Sequence, residues 1–341
     1  MRTFTKKELL STPIEHIDIT SLHVTPLVEA YSKMSFSARD LARAAEIYNQ
    51  MLGEKECSVW LTLAGSTNAA GCMQIYVDMV KNNMVDVIVS TGASIVDMDF
   101  FEALGFKHYR GNPFLDDGML RSLYIDRIYD TLIDEEELQE CDHAIAKIAD
   151  ALSPRPYSSR EFIAEMGKYL QKNSVKKDSL VQVAYEHNVP IFCPAFSDSS
   201  AGFGLVLHQE HHKDAHVSID SVKDFRELSE IKMKSTQSGL LMVGGGVPKN
   251  FAQDTVVCAE VLGVEAPVHK YAVQITVADV RDGACSSSTL KEASSWGKVS
   301  TVYEQMVYSE ATLALPIIVA AAYEKGNWKN RERTNFSKLF S

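Results

Sequence analysis

Short apolar runs alternate along the chain with longer stretches in which apolar residues recur every three or four positions. The short runs end abruptly at small or polar residues, which is typical of buried strands that lead into loops. They cover residues 58–63, 85–89, 190–193, 240–243 and 271–275. Helical periodicity separates them, as in 69–81 and 180–187. Strands that alternate with helices predict an α/β fold whose parallel sheet is covered on both faces.

The chain shows no internal repeat and no low-complexity linker, so one continuous domain is expected. The segment from Asp126 to Leu170 is rich in Asp, Glu and Lys, and it predicts surface helices on either side of a turn at Ser153–Pro156. In a parallel sheet, ligands bind beyond the carboxyl ends of the strands. The Gly, Ser, Thr and Asp residues of this chain collect at those ends.

Composition places the chain among ordinary globular proteins, since 45% of its 341 residues are apolar and 23% are charged. The formal charge of -11 disfavours a nucleic-acid partner. Six scattered cysteines without a C-x-x-C pair indicate thiols in a reducing compartment. The N-terminus lacks the apolar stretch of a signal peptide, and the longest apolar run, 313–323, is too short to cross a bilayer. These features predict a cytoplasmic protein with no membrane partner.

Three loops at strand ends are candidates for phosphate or ribose binding. The first is Gly244–Gly246, where consecutive glycines let backbone N–H groups approach a phosphate. It matches neither standard glycine-rich motif, so a tight turn before a helix explains it equally well. The loops at 65–68 and 90–94 are similar in kind, and Asp97 follows at a distance suited to a ribose hydroxyl.

Four histidines, His208, His211, His212 and His216, lie at helical spacing. A metal site on one helix face is conceivable, but no cysteine or carboxylate pair joins them in a known ligand pattern. We therefore expect no metal, and we interpret them as a surface or interface cluster.

Lys298 follows Gly297, and taken alone it is typical of a solvated turn residue. A lysine becomes a nucleophile where a dry or cation-rich site lowers its pKa. Trp296, two residues earlier, could supply both a dry wall and a face that attracts cations.

The order of several widely spaced motifs resembles that of the deoxyhypusine synthases, over almost the whole chain from about Val24 to Tyr323. The motifs are listed in chain order: Pro194-Ala195-Phe196-Ser197-Asp198, Gly244-Gly245-Gly246, Glu292 with Trp296-Gly297-Lys298, and Tyr308-Ser309-Glu310-Ala311-Thr312. The resemblance implies a doubly wound, Rossmann-like domain that binds NAD and assembles as a homotetramer with active sites between subunits. It places the catalytic domain at 24–330, after an N-terminal extension, 1–23, and before a C-terminal tail, 331–341.

The resemblance also implies a reaction. NAD takes hydride from spermidine, and the imine passes to a lysine with loss of 1,3-diaminopropane. The aminobutyl group then moves to an acceptor amine, where NADH reduces the imine. Lys298 matches that lysine, and Glu292 and Trp296 match residues of the polyamine pocket. Glu292 is also expected to be catalytic, handling protons for Lys298. The positions that match NAD contacts are Ser66, Thr67, Thr91, Gly92, Ala93, Asp97, Asp198, Gly245, Glu310 and Ala311. Asp97 and Glu310 exchange one acid for another relative to the family.

Three departures change the expected pocket. Asn250 stands where the family has a histidine, and Phe203 and Cys285 stand where it has acidic residues. Because each unpaired ammonium in a semi-buried site costs several kcal/mol, the pocket should accept a differently shaped or less charged amine. The pattern resembles a bacterial branch of the family. The acceptor is then either a protein lysine or a free amine such as putrescine, giving homospermidine, or agmatine.

Two other functions compete with this interpretation. A non-catalytic paralogue that binds NAD and regulates a partner subunit would lack the nucleophile, whereas Lys298 is present. An unrelated NAD-dependent deacylase resembling sirtuins would want a catalytic histidine after a strand and often a zinc cysteine module, and no such module is present.

Overall fold

The computed structural model describes residues 4–340, which form 14 α-helices and 11 β-strands. The helices are α1 (Lys6–Leu9), α2 (Thr25–Tyr31), α3 (Phe36–Gly53), α4 (Met73–Lys81), α5 (Phe101–Ala103), α6 (Asp117–Ser122), α7 (Glu135–Asp150), α8 (Ser159–Asn173), α9 (Leu180–Glu186), α10 (Ser200–His211), α11 (Ser221–Lys234), α12 (Gly246–Val261), α13 (Leu290–Ser295) and α14 (Ala311–Lys325). The strands are β1 (Cys57–Leu63), β2 (Val87–Ser90), β3 (Tyr109–Arg110), β4 (Ile125–Ile128), β5 (Thr131–Asp134), β6 (Pro156–Tyr157), β7 (Ile191–Phe192), β8 (Ser218–Ile219), β9 (Gln237–Val243), β10 (His269–Thr276) and β11 (Val299–Tyr308). Short π-helical turns cover Asn68–Cys72 and Ala93–Phe100, and 3-10 turns cover Ile19–Ser21, Asn327–Asn330 and Phe336–Phe340.

The central sheet has six parallel strands in the order β11-β10-β9-β1-β2-β7. The chain builds outward from β1 through β2 to β7, and then returns past β1 to build β9, β10 and β11 on the other side. This is a doubly wound topology with its switch point between β1 and β9, where a crevice opens at the carboxyl ends of the strands. The predicted fold class is confirmed.

Two apolar cores cover the two faces of this sheet. Alternate side chains of β1 point to opposite faces, so that Val59 and Leu61 enter one core and Trp60 enters the other. The first core contains α3, α4, α7, α8, α9, α10 and α14, and the second contains α11, α12 and α13. The layering places α10 and α13 on opposite faces of the sheet.

The strands lie close to the predicted runs, with two differences. The segment from Asp126 to Leu170 was expected to form surface helices on either side of a turn at Ser153–Pro156. That prediction is wrong at its start, because β4 and β5 pair there as an antiparallel hairpin. The edge strand β11 gave no clear signal, since most of its central side chains are exposed or half-buried. Within residues 4–340, no helix has the length and apolar character needed to cross a membrane.

Residues 331–340 lie against the core. The Arg331 guanidinium donates to Asp86 Oδ2 at 2.5 Å and to the carbonyl oxygen of Cys57 at 3.0 Å. Asp86 also accepts from the backbone N–H of Val59 at 2.7 Å. The two side chains are 6% and 0% exposed. This pair fixes the C-terminal segment to the starts of β1 and β2.

A buried lysine outside the sequence motifs lies in the second core. Lys232 is 0% exposed, and its Nζ lies 3.0 Å from the Ser238 hydroxyl, which lies 2.9 Å from His269 Nδ1. The partner of the amine is thus neutral. Burial lowers the pKa of Lys232 from 10.5 to about 8.

This shift predicts how stability depends on pH. Between pH 8 and 10.5 the unfolded chain binds more protons at Lys232 than the folded chain, so the free energy of unfolding should rise with pH in that window. Lys232→Met should therefore stabilise the protein at pH 7 by about 3 kcal/mol, and this gain should vanish above pH 10.5. Urea unfolding at several pH values measures it. The exposed Lys234→Met is the control, and a Lys232→Met gain that did not change with pH would contradict the assignment.

Candidate functional site

The residues that match NAD contacts lie at one edge of the central sheet. Ser66 and Thr67 follow β1, and the loop 91–93 follows β2. Asp198, Gly245 and Glu310 follow β7, β9 and β11. Since all six strands are parallel, their carboxyl ends meet at the same edge, where β1 and β9 form the switch point.

Hydrogen bonds join the loops that follow β1 and β2. The Ser94 hydroxyl donates to the carbonyl oxygen of Gly65 at 2.7 Å, and the Asn68 amide donates to that of Ser94 at 3.0 Å. The Thr67 hydroxyl lies 2.7 Å from that of Tyr76, which anchors the loop on α4. The two loops therefore form one preorganised surface.

The loop after β2 also packs tightly against the segment after β7. A Cβ at Gly92 would lie 2.4 Å from Ser199 Oγ, so only glycine fits there. Asp97 accepts from the backbone N–H of Ser200 at 2.7 Å. Burial raises the pKa of Asp97 to about 6, and the hydrogen bonds from Ser200 oppose that shift. Near pH 7 the carboxylate is mostly ionised and can accept from a hydroxyl.

Glu310 lies at the same carboxyl ends of the strands, after β11. Its side chain accepts from the backbone N–H of Thr312 at 2.8 Å and so caps α14. Glu310 also lies near Cys72, which ends the π-helical turn after β1. Burial raises the pKa of Cys72 to about 12, and the negative charge of Glu310 adds to that shift. Thus Glu310 and Ala311 lie beside the loop of Ser66 and Thr67.

The glycine loop after β9 is covered by the segment that precedes α13. A Cβ at Gly245 would lie 2.1 Å from the carbonyl oxygen of Ser286, and the Gly246 N–H donates to that oxygen at 3.4 Å. The close approach requires glycine at position 245. Part of the reason for consecutive glycines is therefore packing within the chain.

Lys298 lies against α12, the helix that begins at the glycine loop. Its Nζ is 2.5 Å from Asp254 Oδ1 and 5.2 Å from the centre of the Trp296 ring. The lysine side chain is 13% exposed, whereas Trp296 is 69% exposed. Within one chain, Trp296 therefore provides the cation-binding face but not the dry wall that the sequence led us to expect.

A second lysine lies in the same cluster. Lys249 is fully buried in the first turn of α12, and its Nζ donates to the carbonyl oxygen of Ser288. Burial lowers the pKa of Lys249 to about 8; the Glu292 carboxylate opposes the shift and the charge on Lys298 adds to it. Lys249, Glu292 and Lys298 thus share one electrostatic environment.

Glu292 holds the N-terminus of α13. Its carboxylate accepts from the Thr289 N–H at 2.6 Å, while the Thr289 hydroxyl accepts from the Glu292 N–H at 3.2 Å. This reciprocal pair is a capping box, and the backbone hydrogen bond lowers the pKa of Glu292. Glu292 is exposed, so it could act as a proton carrier only by leaving the cap.

The substituted pocket residues fall into two groups. Asn250 lies one residue beyond Lys249, where its Oδ1 accepts from the Ser287 hydroxyl at 2.6 Å. Cys285 is exposed in the segment over the glycine loop. Phe203 is 66% exposed on α10, which follows β7. One chain brings Asn250 next to Lys249 and places Cys285 in the segment that covers the glycine loop, but it holds Phe203 elsewhere.

Phe203 and Lys298 lie on opposite faces of the sheet, and each lies near a different outermost strand. Strands β7 and β11 are its two edge strands, five inter-strand spacings apart, which is roughly 24 Å. Helix α10 packs in the first core, and α13 packs in the second. No movement of side chains alone can join these two parts of the predicted pocket.

Asp254 is the functional candidate that the sequence did not indicate. In the sequence it looks like any acidic residue of a helix. Its contact with Lys298 joins residues 44 positions apart, so no local pattern indicates it. One signal was present: Asp254 follows Asn250 by four residues and therefore lies on the same helix face.

Two of the four histidines, His208 and His212, contact Asp150, whereas α10 ends at His211 and His216 therefore lies beyond the helix. His208 Nδ1 lies 2.6 Å and His212 Nε2 lies 3.1 Å from the same Asp150 oxygen. Those three groups could converge on a metal ion. However, His208 Nε2 accepts from the Val217 N–H at 3.0 Å, which places the proton of a neutral imidazole on Nδ1, toward Asp150. A metal bound at Nδ1 would move that proton to Nε2, where it would face the N–H of Val217. These side chains therefore fit a hydrogen bond better than a metal ion.

Comparisons of the sequence and of the structure with known proteins all find members of one family. The deoxyhypusine synthase family model matches residues 26–322. The chain is 65% identical over 336 residues to a protein named "Deoxyhypusine synthase-like protein" from Coxiella burnetii, covering 98% of this chain and 96% of that one. It is 40% identical to "Probable deoxyhypusine synthase 2" from Methanosarcina mazei, covering 96% and 94%. A crystal structure assigned as a deoxyhypusine synthase, from Entamoeba histolytica, superposes with a TM-score of 0.61 at 20% identity, covering 95% and 99%, which supports the fold.

Proposed function

The chain belongs to the deoxyhypusine synthase family, a family of transferases, and on that premise we propose that it transfers the aminobutyl group of spermidine to an acceptor amine with NAD as cofactor. The observation that carries the proposal is the position of Lys298 against α12. That helix begins at the glycine loop and also carries Lys249 and Asp254. The candidate nucleophile and one cofactor loop are therefore fixed to the same element.

The chemistry that NAD supplies when bound is the acceptance and return of a hydride. The residues that would hold it are those at the carboxyl edge of the sheet, and two observations support the fit. The crevice between β1 and β9 is where dinucleotides bind in doubly wound folds. Asp97 also lies at this edge, where the backbone N–H of Ser200 holds one oxygen of a carboxylate that can accept from a ribose hydroxyl.

Saturating NAD should raise the melting temperature of the protein. A ligand that binds only the folded state stabilises it by about 2.7 kcal/mol at 100 times its dissociation constant. Gly92→Ala should remove most of this shift, because the added methyl group collides with Ser199 and displaces the loop. Thermal denaturation with and without millimolar NAD measures both effects, and an unshifted wild type would count against NAD as cofactor.

We propose that complete sites form between subunits of a homotetramer. The support is the separation of Phe203 from Lys298, since a pocket that includes both residues needs a second copy of the chain. Light scattering of the purified protein is expected to give four chains per particle. A monomer at every concentration would rule out sites shared between subunits.

We propose that the pocket accepts a differently shaped or less charged amine than the family's pocket does. Asn250, Phe203 and Cys285 offer no carboxylate to pair with a distant ammonium. A free diamine and a protein lysine both present a single attacking amine, so either can complete the transfer.

Incubation with NAD and a panel of polyamines, followed by mass spectrometry, tests the proposal. Spermidine alone should release 1,3-diaminopropane, and added putrescine or agmatine should give the corresponding aminobutylated product if the acceptor is a free amine. A mass increase on an added protein substrate would identify a protein lysine instead. NAD binding without turnover of any polyamine would favour a regulatory paralogue.

A further inference from the structure

We infer that Asp254 is a catalytic residue that carries protons between Lys298 and the leaving amine during imine exchange. The inference rests on the proposed function. It begins from the contact of Asp254 Oδ1 with Lys298 Nζ at 2.5 Å, which gives the proposed nucleophile a proton acceptor within hydrogen-bond reach.

The position of Asp254 fits this role. Its side chain is 39% exposed, so one carboxylate oxygen can face a substrate while the other holds Lys298. Asn250, one helical turn earlier on the same face, is an amide and cannot take up a proton near neutral pH. Asp254 therefore supplies on this face the titratable group that position 250 lacks.

Glu292 is less suited to this task. Its carboxylate is engaged by the Thr289 N–H at 2.6 Å, and removing it would uncap α13. Lys249 is held by the carbonyl oxygen of Ser288 and is fully buried. Asp254 is thus the carboxylate that already contacts the reacting nitrogen.

The exchange balances in protons. Lys298 starts as an ammonium with three protons on nitrogen, and the oxidised donor is an imine whose nitrogen carries none. Asp254 first takes one proton from this ammonium, which frees the lone pair of the Lys298 nitrogen to bond to the imine carbon. Asp254 then passes that proton, and afterwards the other two, to the donor nitrogen. The carbon–nitrogen bond to the donor then breaks, the diamine leaves as an ammonium, and the imine double bond remains on Lys298.

The test uses a simple aldehyde, butanal, which forms an imine on a lysine without NAD or a polyamine. Borohydride reduction at set times, with mapping of the butyl adduct, gives the rate at Lys298. Asp254→Ala should lower that rate by at least about 100-fold. Added formate, a carboxylate small enough for the vacated space, should restore much of it in this variant and have little effect on the wild type.

The control is Glu260→Ala, which removes an exposed carboxylate near the end of the same helix and should change nothing. The melting temperature of Glu260→Ala should stay near that of the wild type, whereas Asp254→Ala should lower it, because the Lys298 ammonium, which is 13% exposed, then loses its partner. A merely structural role would not give rescue by formate.

Two outcomes would overturn the inference: an unchanged rate of adduct formation in Asp254→Ala, or a reduced rate that formate does not restore. Failure of the proposed function would look different, because the wild type would then turn over no polyamine with NAD, while butanal would still label Lys298 in an Asp254-dependent way.

Discussion

Lys298→Arg is expected to abolish aminobutyl transfer, with a loss of at least about 1,000-fold, because arginine keeps the charge but cannot form the same imine. Its guanidinium can still reach Asp254, so the fold and the NAD-dependent thermal shift should be retained. Product formation from spermidine, measured by mass spectrometry, provides the test.

Two further lysines serve as controls for that variant. Lys291→Arg changes an exposed side chain on α13 and should leave transfer unaffected. Lys249→Met removes the buried amine beside the cluster; it should reduce transfer without preventing formation of a Lys298 adduct. Normal transfer in Lys298→Arg would mean that another group is the nucleophile.

Arg331→Met is expected to destabilise the protein by about 3–5 kcal/mol, because it leaves the Asp86 carboxylate buried without its partner. It also removes the donor that binds the carbonyl oxygen of Cys57. Guanidinium denaturation measures the loss. The matched control is Lys325→Met, which breaks the exposed pair with Glu46 and should cost less than about 1 kcal/mol.

Equal losses in these two variants would show that burial of the Arg331–Asp86 pair has no energetic consequence. A loss confined to Arg331→Met would establish that residues 331–340 are part of the folded unit, although the sequence assigns them to a tail.

The parallel sheet could be predicted because its buried strands are continuous apolar runs, as β1 and β9 illustrate. Strand β11 could not, since its position at the edge leaves its middle exposed and removes the apolar signal. The hairpin of β4 and β5 was hidden by aspartates, which are depleted in strands and so weaken the strand pattern. In each case the environment, rather than local propensity, decided the structure.

For the candidate site, the motifs predicted which residues matter but not how they are arranged. Lys298, Trp296 and Glu292 are neighbours in sequence, yet Glu292 caps a helix and Trp296 is largely exposed. The partners of Lys298 come from α12, and contacts between distant segments leave no periodic signal. The separation of Phe203 from Lys298 follows from strand order, which the motifs do not encode.

We propose that Lys298 carries the aminobutyl group as an imine during an NAD-dependent transfer. The most direct test is to incubate the protein with NAD and spermidine, reduce with borohydride, digest, and locate the added mass. We predict a single aminobutyl adduct on Lys298, which is absent when NAD is omitted. An adduct on Lys249 instead, or no NAD-dependent adduct on any lysine, would contradict the account.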